Sequence, residues 1–546
     1  MVDFDLLRKK KKFLEDNRTS YESLWRDLSD FIAPDRGVFR GESAGQERTD
    51  RYKRLVDPTA SISLDYFAAG MQAGLNSPKR PWFRLQTNDP ALNKSDAVKE
   101  YFSSVERVIY DILGKSNFYT GTHNIYLEEG GFGSGCLLME EDWNKVVRFN
   151  ALTVGEYWLD VGTDGKVDTL YRELYMPVRN VVARWGMDVA SPTVRGMYEA
   201  RNYFKLVKVI HMIEPRRDRD VRMIDARNMP YSSIYYEEGS DHILGEGGFV
   251  EKPMACPRWS VVGSAVYGSG PGQKVLRQIK MLQELNLTKL RVEHLNADPP
   301  VIGPESLRNK GINTLPGGKT YMDTDKLAQF GPLFKINYDP TGTIEGINDV
   351  RRIIERCLYT DLFIMLVEKD DMTATEILER KQEKLFTLGP AIEKQTDELL
   401  DPVIDFTYTA AAKRGLLPPA PPELQGQDLD IQFISSLAQA QKLAGLDQTR
   451  AYVSVGVELA QINPEAVDKL DIDAIMDEVA DITGVPPKCN RSADEVAAIR
   501  EQRAQQQQQI VADEQANMQA QRMKDLSGAT LDGNNALTEL QRSLEG

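Results

Sequence analysis

The sequence predicts an α+β fold that is predominantly helical, and three observations carry that class. Apolar residues recur at intervals of three and four over long stretches near residues 13–33, 273–296 and 344–367. Between about 137 and 260 the texture changes to short β-rich runs punctuated by turn residues. Hydrophobic residues make up 41% of the 546-residue chain, enough for real cores, and at ~100–200 residues per domain the length suggests roughly three to five structural units.

In chain order, Tyr21, Leu24, Trp25, Leu28, Phe31 and Ile32 put one apolar stripe on a helix that Pro34 and Gly37 close. The run Lys9 to Lys12 ahead of it reads as a solvated face at a helix start, with contact to DNA or a partner as the alternative. Val146 to Phe149, Tyr157 to Val161 and Val167 to Tyr175 read as strands, and Asp164-Gly165 is a hairpin signal between the last two. Strand-like Tyr203 to Ile213 and Ser232 to Tyr236, with helical Val178 to Trp185, complete a mixed globular body.

Gly268-Ser269-Gly270-Pro271-Gly272 breaks the pattern. Val275, Leu276, Ile279, Leu282, Leu285 and Leu290 then predict one long helix from Gln273 to about Asn296, ended by Pro299-Pro300. Residues 298–340 are rich in Gly, Pro, Asn and Asp and read as a compact insertion. Helical spacing returns from Ile344 to Val367 through Ile347, Val350, Ile354, Cys357 and Leu358.

After the charged loop Glu368-Lys369-Asp370-Asp371, a third helix starts with full capping chemistry. Thr373 and Glu376 form a capping box, and Met372 and Ile377 occupy the positions of a hydrophobic staple. It is expected to run to Arg414, with Gly415 as its cap and Pro418, Pro419, Pro421 and Pro422 beyond, and to kink at Gly389-Pro390. Asp430 to Ile434 is strand-like, and 501–527, with five glutamines from Gln505 to Gln509, reads as an exposed helix that needs partners or as a flexible tail.

Composition narrows the function. With 82 acidic against 67 basic residues and a formal charge of -15, the chain as a whole lacks the basic footprint of a protein that grips nucleic acid by its phosphates. The cysteines, Cys136, Cys256, Cys357 and Cys489, form no C-x-x-C pair and fit a reducing, cytoplasmic folding compartment. No signal-peptide stretch follows Met1, and the most apolar run, Leu362 to Val367, is far shorter than the ~20 residues of a membrane span.

Catalytic motifs fail on inspection. Gly317-Gly318-Lys319-Thr320 has Asn313 where a phosphate loop needs glycine, and reads as an exposed turn. Gly131-Phe132-Gly133-Ser134-Gly135-Cys136 misses the dinucleotide fingerprint at Cys136 and reads as a tight turn before a strand. His123, His211, His242 and His294 are scattered and take structural or surface roles. No catalytic residue, metal or cofactor is expected.

The order of mixed body, long helix, small insertion, long helix, charged loop, kinked long helix and polar helical end resembles the portal, or head-to-tail connector, proteins of tailed phages, most of all the short-tailed podovirus branch. Local sequence carries the same resemblance: Tyr52-Lys53-Arg54-Leu55-Val56-Asp57-Pro58-Thr59-Ala60, Gly70-Met71-Gln72-Ala73-Gly74-Leu75, Ser77-Pro78, Pro81-Trp82-Phe83, Pro257-Arg258-Trp259-Ser260, and above all Met372-Thr373-Ala374-Thr375-Glu376-Ile377. It covers roughly residues 10–480, the glutamine-rich end matching only in character.

The resemblance implies a portal fold: a wing (1–270), a first stem helix (271–297), a clip (298–340), a second stem helix (341–366), a tunnel loop (367–372), a kinked wing helix with a return strand (373–440), a crown (441–500) and a helical or flexible tail (501–546). It implies a ring of twelve copies at the portal vertex of the virion, made in the host cytoplasm, with double-stranded DNA passing non-specifically along its axis. Implied partners are the packaging ATPase (terminase large subunit), tail adaptor and tube proteins, and capsid and scaffolding proteins. Glu368, Lys369, Asp370, Asp371 and Met372 would face the channel, and Arg308, Lys310 and Lys319 would meet a partner or DNA at the clip. Apolar Cys357, Leu358, Phe363, Ile364 and Met365 suit a helix packed on both sides in a ring, and equally one buried in a monomer. Two alternatives stand beside this reading: another neck or internal head component, and a nucleotide-dependent enzyme built around Lys319 and Thr320.

Overall fold

One long helix ties two hydrophobic cores together. In the computed structural model the described residues are 4–39, 44–89, 92–223, 225–240, 242–303, 305, 313, 331–332, 340–365, 388–424, 429–434, 452–456, 458–459, 469–483, 491, 493–527 and 542–543. They fall into two compact units, Met1–Gly445 and Leu446–Gly546.

In the first unit, α1 (Phe4–Phe31) lays Leu7 and Leu14 on one sheet and carries Trp25 and Leu28 into the main core. Between the two, buried Arg18 donates to the carbonyls of Gly155 and Tyr157, each at 2.9 Å, and stacks over Trp158. In the lysine run ahead of this stripe Lys9 and Lys12 are exposed, as the sequence reading has it, but Lys10 and Lys11 depart from it. Lys11 is buried and pairs with Glu238, Lys10 pairs with Glu214, and both acids lie on or beside the strands, so tertiary charge partners replace solvent.

That sheet is a five-stranded antiparallel meander of β4 (Tyr157–Val161), β5 (Val167–Pro177), β6 (Leu206–Pro215), β7 (Tyr231–Glu237) and β8 (His242–Phe249). Period-two alternation gives it two greasy faces. Trp158, Tyr171, Ile210, Met212 and Ile234 lie under α1, whereas Val207, Val209 and Leu244 lie under α6 (Val178–Trp185) and α7 (Pro192–Glu199). Gly165 turns the β4–β5 hairpin at φ +76, as Asp164-Gly165 predicts. His211 stacks on Tyr235 at 3.8 Å and bonds to Arg172 and Ser233. Burial, then the charges of Arg172 and Arg184, hold its pKa well below the usual value, so it is a neutral structural group.

The main core gathers α3 (Thr59–Leu75), α4 (Asp96–Lys115), α5 (Phe118–Phe132) and the three-stranded sheet β3-β2-β9, with β2 (Cys136–Asp142), β3 (Val146–Leu152) and β9 (Met254–Ala255). Across it β1 (Phe83–Thr87) pairs with β12 (Leu429–Phe433), closing distant parts of the chain onto each other. Val301-Ile302 (β10) pairs with Gly331-Pro332 (β11), bringing the two ends of the predicted insertion together.

Three helical segments differ from, or refine, the sequence expectation. The second long helix does not run unbroken to 366: α9 (Pro340–Cys357) ends, Tyr359 takes φ 57, and α10 (Thr360–Met365) restarts. In the third rod, residues 388–395 are helical, a π-helical turn spans Thr396–Leu400, and α11 (Asp401–Lys413) follows without a break, closed by Gly415 at φ +65. Among the described residues the third rod carries a π turn at Thr396–Leu400, and the turn that precedes the expected kink at Gly389-Pro390 lies outside the described residues. In the second unit, α12 (Ile472–Thr483) meets α13 (Ala493–Ser527) through an Arg500–Asp473 ion pair of 2.6 Å, and every residue from 501 to 519 is exposed. Among the described residues, no helix is long and apolar enough to cross a membrane.

Candidate functional site: a helix pair clasped at its root

The feature that the fold holds most deliberately is the pair α8 (Pro271–Ala297) and α9. Close backbone contact sets where α8 begins. Gly133 caps α5 at φ +85, and a Cβ there would sit 2.4 Å from the Gly270 nitrogen; a Cβ on Gly270 would sit 2.4 Å from the Glu129 carbonyl, and one on Gly268 2.4 Å from the Gly133 carbonyl. Only glycine allows this interlock. The expected turn before a strand is thus also the socket of α8, where Gln273 donates to the Phe132 carbonyl at 2.6 Å.

About three helical turns further, polar side chains replace apolar ones on the inward stripe. Val275, Leu276, Ile279 and Leu282 are buried, and then buried Gln283 accepts from the Val56 and Asp57 N–H groups, both at 2.9 Å, while donating to the Asp57 carbonyl at 2.8 Å. Asn286 donates to the Asp57 carboxylate at 3.1 Å, and Arg351 of α9 reaches the same oxygen with Nη2 at 2.7 Å and Nε at 3.2 Å. The other carboxylate oxygen accepts from the Thr59 N–H and hydroxyl, starting α3. Burial alone would raise the Asp57 pKa, but the Thr59 and Arg351 bonds outweigh it and hold the carboxyl below its ordinary value. One charged side chain thereby fastens α3, α8 and α9 at one point.

Past that clasp the pair leaves apolar side chains uncovered among the described residues. Val350, Ile347 and Ile354 of α9 pack inward, yet Ile353 is 45% exposed, Ile344 39%, Leu290 43% and Leu295 39%, and residues 293–298 of α8 are exposed all round. The opposite end of α9 is seated firmly. Phe363 of α10 lies on Gly70 of α3, where a Cβ would come within 2.1 Å of the ring, and Phe67 meets it edgewise while itself packing edgewise on Trp259 and tilted against Tyr359. Leu358, Leu362 and Phe363 are buried within this one chain, while Cys357 and Ile364 are half-buried.

The third rod is rooted by charge as well. Arg258, buried in the segment before α8, pairs with Glu398 of the π turn at 2.7 Å and also donates its backbone N–H to it at 2.9 Å. Gln395 donates to buried Glu129 at 2.6 Å. Burial, with Glu398 nearby and against the Gln395 bond, pushes the Glu129 carboxyl up to about 8, so it is a neutral acid at pH 7.

Glu368, Lys369, Asp370, Asp371, Met372, Thr373, Glu376 and Ile377 lie outside the described residues, as do Arg308, Lys310 and Lys319. What the structure fixes are the points where that segment departs and returns: Phe363 on Gly70, and buried Leu388. Sequence reading missed the roles of Asp57, Gln283, Asn286 and Arg351. The available signal was polar Gln283 and Asn286 falling on the same helical face as Ile279 and Leu282, where an apolar stripe would continue.

A cleft of about 520 Å3 beside β3 and α5 is lined by Arg148, Arg172, Glu140 and Asn117. Its polar groups answer one another: Glu140 takes both arginines, and Asn117 bonds the Phe149 backbone.

Residues 5–489 match the pattern of a family described as bacteriophage head to tail connecting protein. The chain is similar to a probable portal protein of Bordetella phage BPP-1, 38% identical over 542 residues that cover 98% of this chain and 97% of that one. It is equally similar to the portal protein of Salmonella phage epsilon15, 38% identical over 534 residues and 96% of each chain. Among solved structures it is similar to a chain in the neck of an empty gene transfer agent particle, at 10% identity and a TM-score of 0.37, covering 79% of this chain and 90% of that one.

Proposed function

The chain belongs to the bacteriophage head to tail connecting protein family, and from that premise we propose that it is one subunit of the ring-shaped DNA channel at the portal vertex of a virion. Genomic DNA passes through this channel during packaging and ejection. The observation that carries the reading to this molecule is the helix pair α8–α9, clasped to the body by Asp57 and leaving Leu290, Leu295, Ile344 and Ile353 exposed at the other end. Such residues gain from burial against a different surface of a neighbouring copy, the head-to-tail kind of interface that closes a ring, at ~25 cal/mol per Å2 of apolar area.

In this reading residues 1–270 and 373–440 make the wing, 271–297 and 341–366 the stem, 298–340 the clip, 367–372 the tunnel loop, and 441–500 the crown, in a ring of twelve. The clip, with Arg308, Lys310 and Lys319, receives the terminase and later the tail adaptors, while capsid and scaffolding proteins surround the ring. Glu368, Asp370 and Asp371 bring three negative charges per copy against one from Lys369, and low-dielectric walls focus that field onto the axis. DNA is then centred rather than held, because each phosphate neutralised by a fixed cation adds a salt-dependent binding term that movement must overcome. A chain with a net charge of -15 avoids that grip. The role is structural, and no turnover belongs to it.

Negative-stain microscopy of the purified full chain tests the reading: rings with a central hole are expected, and a uniform population of particles without one would overturn it.

A further inference from the structure

Two cysteines that no part of the channel reading uses lie side by side in the body. Cys136 opens β2, and Cys256 follows β9, 120 positions later, with the sulfur atoms 3.5 Å apart. Leu137 pairs with Ala255 and Leu138 with Met254, so the antiparallel register places Cys136 directly opposite Cys256. The flanking Gly135 N–H bonds to the Pro257 carbonyl at 2.9 Å, and the Met139 N–H to the Pro253 carbonyl at 2.7 Å. Residue 136 therefore occupies the non-hydrogen-bonded position of the ladder, where opposing backbones come closest and both side chains leave the same face. That spacing falls in the range a disulfide bridges without moving backbone, and the sulfurs need to close by only about 1.5 Å to bond.

We infer that Cys136 and Cys256 are a latent cross-strand disulfide, a modification site that is reduced in the cytosol and closes when the protein meets a peroxide-class oxidant. One thiolate attacks the peroxide oxygen and becomes a sulfenic acid, releasing water; the second thiol attacks that sulfur, forms the S–S bond and releases a second water. Two electrons pass from the two thiols to the peroxide, so the step balances. Both groups are nearly inaccessible, at 0% and 3% exposure, and burial together with the neighbouring thiol pushes the Cys136 pKa up. Closure is therefore slow and waits on local opening, which keeps the pair reduced while reductant is present. On the proposed function the chain is a virion component, and release from the host supplies the oxidising surroundings.

The bond would matter at the root of the stem. The residues after Cys256 carry Arg258, which holds Glu398, and lead into the glycine interlock that starts α8. A link from β2 to this segment ties off the whole five-stranded sheet as one closed loop, which raises stability chiefly by restricting the unfolded chain.

The test is peptide mapping of the native full-length protein after peroxide treatment and alkylation without reductant. The expected result is a Cys136–Cys256 linked peptide in most chains, with Cys357 and Cys489 alkylated, together with a reductant-reversible rise of a few degrees in Tm that is absent in Cys136→Ala and in Cys256→Ala. Folded protein, by circular dichroism, in which both cysteines stay alkylatable or go on to sulfinic acid would overturn the inference. So would links shared indiscriminately with Cys357 or Cys489. The mapping reads the same whether or not the chain forms rings, so its failure is distinct from failure of the channel reading.

Discussion

The two ends of the α8–α9 pair follow opposite rules. At the root, the Gln283 amide and the Asp57 carboxylate make six hydrogen bonds of 2.5–3.1 Å to the chain around them, besides the Arg351 bonds, and backbone meets backbone where only glycine fits. At the far end, Leu290, Leu295, Ile344 and Ile353 are exposed, and Lys289 pairs with its helical neighbour Glu293. The root is specified by this chain, and in the proposed ring the far end is completed by neighbouring copies. Mutations at the root should therefore affect folding, and mutations at the far end association.

The largest effect belongs to Gln283→Leu, which keeps the volume and strands three backbone groups of Val56 and Asp57; urea denaturation should show a loss of about 3–5 kcal/mol. Asp57→Ala should lose about 2–3 kcal/mol, less than a fully buried pair because the Arg351 side chain is 40% exposed and water takes over part of its solvation. Near-native stability in either variant would break the claim that the clasp holds the pair. Gly70→Ala should lose about 1–2 kcal/mol, the clash with Phe363 outweighing the better helix propensity of alanine, and Phe363→Leu in the same chain should recover most of it.

Glu129 sharpens the comparison through pH. Its folded pKa of about 8 lies above the ordinary 4.5, so its favourable contribution is complete below about 4.5 and is lost as pH rises toward 8. Glu129→Gln, which keeps an acceptor for Gln395, should match the wild type at pH 5 and become the more stable protein above pH 8 in paired thermal melts. Asp57 works in the other direction: its folded pKa is depressed, so its contribution is present above 3.8 and fades as pH falls below that. The smallest effect on folding belongs to Leu290→Ser, within about 0.5 kcal/mol, yet mass photometry should show impaired assembly. Unchanged assembly in Leu290→Ser combined with Ile353→Ser would remove the far end from the interface.

Local chemistry was legible where a local rule decides the outcome. Tyr157–Val161 and Val178–Trp185 carry the bounds that periodicity predicts, Gly165 turns its hairpin, and Gly415 caps its helix. What the sequence did not disclose depends on distant partners. Nothing near Tyr359 signals a left-handed residue; it is required because Phe363 must reach Gly70, nearly three hundred positions earlier. Lys10 and Lys11 looked like a solvated face because Glu214 and Glu238 lie two hundred positions away. Asp57 stood inside a segment that carried the family resemblance, but its task became visible only when Gln283, Asn286 and Arg351 were seen around it. The expected channel and clip residues fall outside the described residues, so the site legible in the structure is the frame that holds them.

The most direct test is a cryo-electron-microscopy map of the oligomer formed by the full chain. The account predicts copies of α8 and α9 arranged around an axial hole, with Leu290, Leu295, Ile344 and Ile353 buried between neighbours and the chain after Met365 directed to the axis. A map with those four residues facing open solvent, or with the helix pairs on the outer rim away from any hole, would contradict it.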